Sequence, residues 1–499
     1  MSKRTIFSVL FVTFALSCKD DPAPGSAPPV VDAGSDAGAD AGAVADGGSG
    51  DAGADAGGDA GADAGTGADA GADAGATNPC GDAGTKCWRT AESLGAGNSA
   101  EVAIDPQGNV FALLYQYVNP VYRVIAKRFN AALGIWGDAG AIDGTMGSGA
   151  PAVAVDTAGN AVAVWSQFDG TWTSIYANRY SVANGQWGTP TLIEADDRNA
   201  VVPLVGVDAY GNATVVWTRS ADGGFTDYMI YANRYTADGG TWGAARLMGP
   251  DGGNVNQFEL AVNPMGNAVA VFRWQVGSEA TWMLYANHYN VATGVWGDAG
   301  LVDETSGGQG AYYPAVGIDI AGNAVAVWVR IDGSYYSILA SRYAASSGTW
   351  GDAGVVVAPV TGNIYPPRLA TDPAGNVVAV WPQADGGTTS FDLFASRYSA
   401  DAGTWGSPVL VDKADASVEV PRIAGDALGN ATAVWRRHNG SNYRIYFARY
   451  SAATNSWGDA GILPGSVSDG DKPRVAVNPQ GDVAALWEQA SAIWANLYR

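Results

Sequence analysis

Three arginines recur at nearly equal intervals along the carboxyl-terminal third of the chain: Arg368, Arg422 and Arg474, 54 and 52 residues apart. Each is followed four residues later by Asp372, Asp426 or Asn478, side chains that accept hydrogen bonds. A guanidinium is a planar fork of donors that keeps its charge, so three converging on one point would clamp a carboxylate or a sulfate. Without such a partner their mutual repulsion is costly. The same position, four residues before an Asp or Asn, is held elsewhere by Glu101, Ala152, Leu204, Glu259 and Ala315. Two acids therefore share the register of the three arginines. Two chemistries stay open: an external anion, or internal pairing with Glu101, Glu259 or acidic loops.

For residues so far apart to converge, the chain must bring one register to one place. Two residues before the Asp or Asn, every copy has Ala or Gly: Ala103, Ala154, Gly206, Ala261, Gly317, Ala370, Ala424 and Ala476. Period-two alternation puts these on the same strand face as the arginines. Eight small residues in register fit an innermost strand crowding toward the axis of a ring.

The ring itself is written as a repeat. "DTAGNAVAVW" (156–165) returns as "DPAGNVVAVW" (372–381), and the phrase starts at Asp105, Asp156, Asp208, Asn263, Asp319, Asp372, Asp426 and Asn478, at intervals of 51–56 residues. A second phrase centres on Trp88, Trp136, Trp187, Trp242, Trp296, Trp350, Trp405 and Trp457. Such a period signals a propeller or solenoid. Within one copy, "PAVAVD" and "AVAVWSQ" read as strands joined by a Gly-Asn turn, "SIYANRY" as a third strand and "WGTPTLIEAD" as a fourth. Runs apolar on both faces suit sheets stacked face to face. The predicted fold is all-β, with four-stranded antiparallel blades.

The ends decide between a ring and an open stack. The last copy stops at "IWANLYR" (493–499), after its third strand, while "CWRTAESLG" (87–95) aligns with "TWGAARLMG" (241–249). The amino-terminal strand is expected to complete the last blade, giving a closed eight-bladed propeller without open sheet edges.

The hairpin phrase resembles the NHL and related bacterial propeller repeats, most clearly in "PAVAVDTAGNAVAV" (151–164) and "PAVGIDIAGNAVAV" (314–327). The resemblance covers about fifteen residues of each copy and departs from NHL in the second half, "RYSADAGTWG". It implies the propeller fold. Repeated residues then read as scaffold: Asp156 and its equivalents cap the turn that Gly159 and Asn160 permit, and Trp187 and its equivalents pack between outer strands. Arg128, Arg179, Arg234, Arg342, Arg397 and Arg449 brace carbonyls or acids of neighbours.

Function is expected where copies differ. Besides the mouth residues, the loops after the second strand carry aromatics. Trp172, Phe225 and Tyr335 are candidates to hold a ligand, whereas Tyr122, Tyr228, Trp282, Tyr336, Phe391 and Tyr443 share one aligned position that suits blade packing. No catalytic residue is assigned: the chain has no Gly-x-Ser-x-Gly elbow, phosphate loop or His-rich zinc spacing. Propeller enzymes that resemble NHL proteins hold calcium or zinc on the axis, which keeps a metal-assisted hydrolase or lyase as the alternative function. Only His288 and His438 exist; His288 replaces the third-strand arginine, and His438 is expected in a loop. No metal site is assigned and no cofactor is expected, although Asp196/Asp197 and Asp303/Glu304 could hold calcium in loops. The net charge of −22 disfavours nucleic acid. A glycan, an anionic small molecule or a protein is the expected partner, and a monomer the expected state.

The chain start is different material. Lys3 and Arg4 precede the apolar run "TIFSVLFVTFALS", an export signal over 1–18. Its end, Ala15-Leu16-Ser17-Cys18, resembles a bacterial lipobox, which implies lipid on Cys18 and an outer-membrane or cell-surface lipoprotein. An ordinary cleaved signal would leave a periplasmic or secreted protein. Residues 19–86 are rich in Asp, Ala and Gly and lack aromatics, so they cannot offset chain entropy and read as a disordered tether of roughly 40–50 Å reach. Residues 1–86 contribute −9 of the charge, leaving −13 for the propeller over 87–499. Cys80 and Cys87 are expected to be bridged, a loop closure worth about 2.5 kcal/mol in an exported chain.

Overall fold

The computed structural model describes residues 86–499 apart from 145, 146, 150, 195–197, 222–226, 251, 276–281, 304–309, 385–389, 414–416 and 439. The signal, Cys18, the tether before Lys86, Cys80, Phe225, Asp196, Asp197 and Glu304 lie outside the described residues.

Each blade starts from its turn. Asp156 Oδ1 accepts the backbone N–H groups of Ala158 and Asn160 at 2.9 and 2.8 Å, and Oδ2 takes the Asn160 side-chain amide at 2.7 Å. The Asn160 Oδ1 in turn accepts the Val182 N–H at 3.0 Å, tying the turn to the connection beyond the third strand. Gly159 adopts φ +91°, which only glycine does freely. Glycine is required for a second reason: a Cβ on Gly211 would stand 2.9 Å from Asp156 Oδ2 of the preceding blade. The expected capping role of the repeated Asp is met.

The strands flanking these turns form eight antiparallel sheets arranged as a closed propeller. In blade 2 the order from the axis outward is Ala152–Val155, Ala161–Phe168 and Thr173–Ser181, followed by an outer strand. That outer strand differs from the single run expected. It is two short pieces, Gln186–Trp187 and Thr191–Leu192, both paired with Thr173–Ser181. The break falls at Gly188, whose carbonyl accepts the Asn178 side-chain amide at 3.0 Å. The same amide reaches the Ile142 carbonyl of blade 1 at 2.9 Å, so one side chain holds two outer strands. Asn233 repeats this with Gly243 and Ile193.

Between sheets, the second strand supplies the largest core residues. Trp165, Trp217, Trp328, Trp381, Trp435 and Trp487 are fully buried. Truncating such a side chain typically costs about 3–5 kcal/mol. Further out, a girdle links blade to blade. Tyr180 and Trp187 meet edge-on at 5.8 Å, and this pair recurs at Tyr235–Trp242, Tyr289–Trp296, Tyr398–Trp405 and Tyr450–Trp457. The third-strand arginines lie over the tyrosine of the next blade: Arg179 over Tyr235 at 5.4 Å, Arg234 over Tyr289 at 4.6 Å, Arg449 over Tyr498 at 4.1 Å. Bracing of acids, the role expected for them, holds for Arg234 with Asp208 at 2.8 Å; cation–π contact is the addition.

The ring closes as the two chain ends predict. The last sheet runs Glu92–Ala96, Ala492–Tyr498, Val483–Gln489, Asp471–Val477, with its outermost strand taken from the amino-terminal side. Leu94, Ala100 and Val102 share one core with Ala476, Leu486 and Ile493, which packs blade 8 against blade 1.

Candidate functional site: the axial mouth

The innermost strands approach so closely that some positions admit no side chain. A Cβ on Gly206 would lie 2.4 Å from Val262 Cγ2, and one on Gly317 would lie 1.8 Å from Thr371 Oγ1. The small residues two before the turn are therefore small because the next blade's inner strand fills the space. Among the inner strands runs a cavity of about 90 Å³, walled in part by Ala261, Ala315, Gly317, Ala370 and Ala424.

All five residues expected at the mouth line this cavity: Glu101, Glu259, Arg368, Arg422 and Arg474. The three arginines come from consecutive blades 6, 7 and 8, and each is only 5–6% exposed. Every one folds back so that Nη1 donates to the carbonyl of its own preceding proline: Pro367 at 3.3 Å, Pro421 at 3.0 Å, Pro473 at 3.1 Å. Arg474 Nε also donates to Glu101 Oε1 at 3.0 Å, a buried ion pair between the last blade and the first. Internal pairing is thus realised for Arg474. Three guanidinium groups line the cavity together with four carboxylates, Glu101 and Glu259 at the arginine level and Asp372 and Asp426 in the turns.

The backbone that delivers these side chains is strained. In blades 7 and 8 the residue before the proline, Val420 or Lys472, adopts φ 44° or 47°, left-handed for a non-glycine residue. The inner strand slips register there, between Glu419 and Arg422 and between Asp471 and Arg474. Such bulges re-aim the following side chain, and each outlier costs on the order of 1–3 kcal/mol. Val202 and Tyr313 carry the same device ahead of Leu204 and Ala315. The Pro-Arg dipeptides were its visible trace in the sequence.

Above the mouth, Arg436 pairs with Glu419 of its own blade and with Asp471 of blade 8 at 2.8 Å, and lies over the Tyr443 ring at 4.2 Å. Arg273 sits between the rings of Trp282 at 4.3 Å and Tyr312 at 3.9 Å, and burial lowers its pKa to about 10. Sequence reading passed over both arginines. Their only signal is position, one residue after the core aromatic of the second strand, in "FRW" (272–274) and "WRR" (435–437).

Of the loop candidates, Trp172 and Tyr335 do not join the cavity lining, and Phe225 lies outside the described residues. Trp172 is half-buried in a turn whose Asp169 Oδ1 accepts the N–H groups of Thr171 and Trp172 at 2.8 and 2.9 Å. Tyr335, 52% exposed, opens the third strand of blade 5. Of the six aligned aromatics, Tyr122 stacks on Tyr115 at 4.6 Å and Phe391 packs on Tyr365 at the same distance, as blade packing requires.

His438 corrects the loop expectation: it is the last residue of the strand Ala431–His438, edge-on to Tyr443 at 4.9 Å. His288 takes the place of the girdle arginine and stacks flat on Tyr343 at 3.6 Å; burial lowers its pKa to about 4. Asp303, one of the loop-calcium candidates, is buried, accepts the Trp328 indole N–H at 2.8 Å and pairs with Arg330. Its oxygens are already engaged across the boundary between blades 4 and 5. Among the described residues no three His, Cys, Asp or Glu side chains form a group able to hold a metal ion.

No family model matches the sequence, and no curated protein matches it. Solved structures do. The Dos1 propeller aligns with a TM-score of 0.48 at 8% identity, over 83% of this chain and 94% of that one. The polysaccharide lyase Uly1 aligns at 0.44 and 11% identity, over 82% and 91%. An α-L-arabinanase of Penicillium chrysogenum complexed with arabinobiose aligns at 0.39 and 11% identity, over 82% and 98%. At these values no activity is transferred from them.

Proposed function

We propose that the protein is an exported binding scaffold whose axial mouth holds the anionic group of a glycan, small molecule or protein partner. One observation carries the reading: Arg368, Arg422 and Arg474, from three successive blades, are buried around a single cavity that Glu101, beside Arg474, and Glu259 also line. Burying three guanidinium groups is expensive unless acids or a bound anion share the site. A cavity of about 90 Å³ has room for a carboxylate or sulfate group, not for a whole sugar ring chain. The charged group would enter, and the rest of the ligand would lie outside on the rim.

Display belongs to the same proposal: a signal over 1–18, lipid on Cys18, a tether over 19–86 and a Cys80–Cys87 bridge. The entry point of the chain suits it. Lys86 Nζ bonds Asp482 Oδ1 at 2.8 Å in the turn of blade 8, and Cys87 pairs with Arg499 through the backbone. The test is equilibrium titration of the full chain with sulfate and with galacturonate. Saturable binding supports the reading, and no binding of either overturns it.

A further inference from the structure

Resting on that reading, we infer that the mouth serves an acidic oligosaccharide, with sugar rings stacked on a tyrosine arc over blades 5–7 while the acidic group enters the arginine cavity. The arc is built from the residues immediately upstream of the mouth positions. Tyr313 stands two residues before Ala315, Tyr365 three before Arg368, and Glu419 three before Arg422. At about 3.3 Å per strand residue, the arc begins roughly 7–10 Å from the mouth.

These side chains converge from separate blades. Tyr365 is packed on Phe391, and burial raises its hydroxyl pKa, an effect enlarged by Tyr313, Glu419 and Tyr336 close by. Tyr443 donates to Glu419 Oε1 at 3.3 Å, and the Arg436 guanidinium covers its ring. Tyr313 is held in a left-handed conformation at φ 52°, with its N–H bonded to Gln257 Oε1 of blade 4 at 2.8 Å. A tyrosine kept in so unfavourable a conformation is over-determined by its neighbours, a condition concentrated at binding sites. Tyr313, Tyr336, Tyr365 and Tyr443 are all partly exposed.

The chemistry selects the occupant. Tyrosine offers a rigid, partly apolar face and a polar edge at little entropic cost, which matches the C–H face and hydroxyl rim of a pyranose. The Glu419–Arg436 pair supplies an acceptor and a donor side by side for adjacent hydroxyls. A free small anion would use only the cavity; a saccharide bearing uronate or sulfate would use cavity and arc together.

The experiment is calorimetric titration of the full chain with galacturonate, its pentasaccharide, a sulfated heparin-derived hexasaccharide and a neutral xylohexaose. At least one acidic oligosaccharide is expected to bind about tenfold or more tighter than galacturonate, with xylohexaose weaker than either acidic chain. Tyr365→Ala should erase most of that gain, and Tyr443→Phe, which keeps the ring and removes only the hydroxyl bonded to Glu419, a smaller part; both should leave galacturonate binding intact. If galacturonate binds but no oligosaccharide binds tighter, or the tyrosine variants keep the gain, the arc is overturned and the mouth reading stands. Equal binding of xylohexaose also overturns it. If nothing in the panel binds, both readings fall together.

Discussion

Trp88 and Tyr498 meet edge-on with ring centroids 5.6 Å apart, joining the start of the ring to its last strand. The contact repeats the tyrosine–tryptophan pair that other blades make within one stretch of chain, such as Tyr450 with Trp457. Here it is made by residues from opposite ends. Trp88 also packs on Phe447 at 5.1 Å, so it fixes blade 8 to blade 7 as well.

Trp88→Ala should therefore lower stability by about 3–5 kcal/mol, the usual cost of emptying an aromatic core site. Denaturant titration would show it as a lower midpoint. Removing 87–95 altogether should expose the Ala492–Tyr498 edge and cause aggregation. A soluble, cooperatively folding deletion variant would contradict the closure.

Gly317→Ala should destabilise by about 1–3 kcal/mol, because its Cβ would overlap Thr371 Oγ1 of the next blade. Thr371→Ala in the same chain should recover part of the loss, since it removes the hydroxyl overlap and leaves a Cβ 2.9 Å away. Thermal melts of the two single variants and the double variant decide it; additive losses would mean that the two inner strands do not share this space.

His288 gives a signed pH dependence. Its pKa in the folded ring is about 4, below the value near 6.5 of an unfolded chain. As pH falls from about 6.5 toward 4, the unfolded chain takes up a proton that the folded ring refuses. Stability is lost across that window and is fully present above it. His288→Arg, which restores the residue found at this position in other blades, should flatten this part of the curve. An identical slope in both proteins would assign the loss to other groups.

Much of this was legible because it is local. The turn chemistry of Asp156, Gly159 and Asn160 is written within five residues, and period-two alternation from the turn carried the register to Arg368, Arg422 and Arg474. The incomplete last copy spelled out the ring closure. What escaped depends on neighbours some 35–50 residues away. The amide of Asn178 bridges two blades, Arg449 lies over Tyr498, and Arg436 reaches Asp471 across a blade boundary. None of these partners stands at a fixed short spacing. Asp303 looked like a solvated turn acid because its partner Arg330 lies in the next blade.

The Arg474–Glu101 pair predicts strong non-additivity. Glu101→Gln alone should cost about 3–5 kcal/mol, since a buried guanidinium loses its compensating charge. Combining Glu101→Leu with Arg474→Met should cost much less than the sum of the two single changes. Denaturant midpoints of the four proteins measure the coupling, and simple additivity would mean that the pair is solvated.

The mouth is proposed to bind an anionic group through its arginines. Titrating sulfate and galacturonate into the wild-type chain and into the Arg368→Ala/Arg422→Ala variant, with melting temperatures recorded alongside, tests it most directly. Arg474 is left in place to keep its ion pair with Glu101. Saturable binding to the wild type is expected, weakened by about 100-fold or more when two charge-assisted contacts are lost, in a variant that still melts cooperatively. Unchanged affinity in the variant would contradict it.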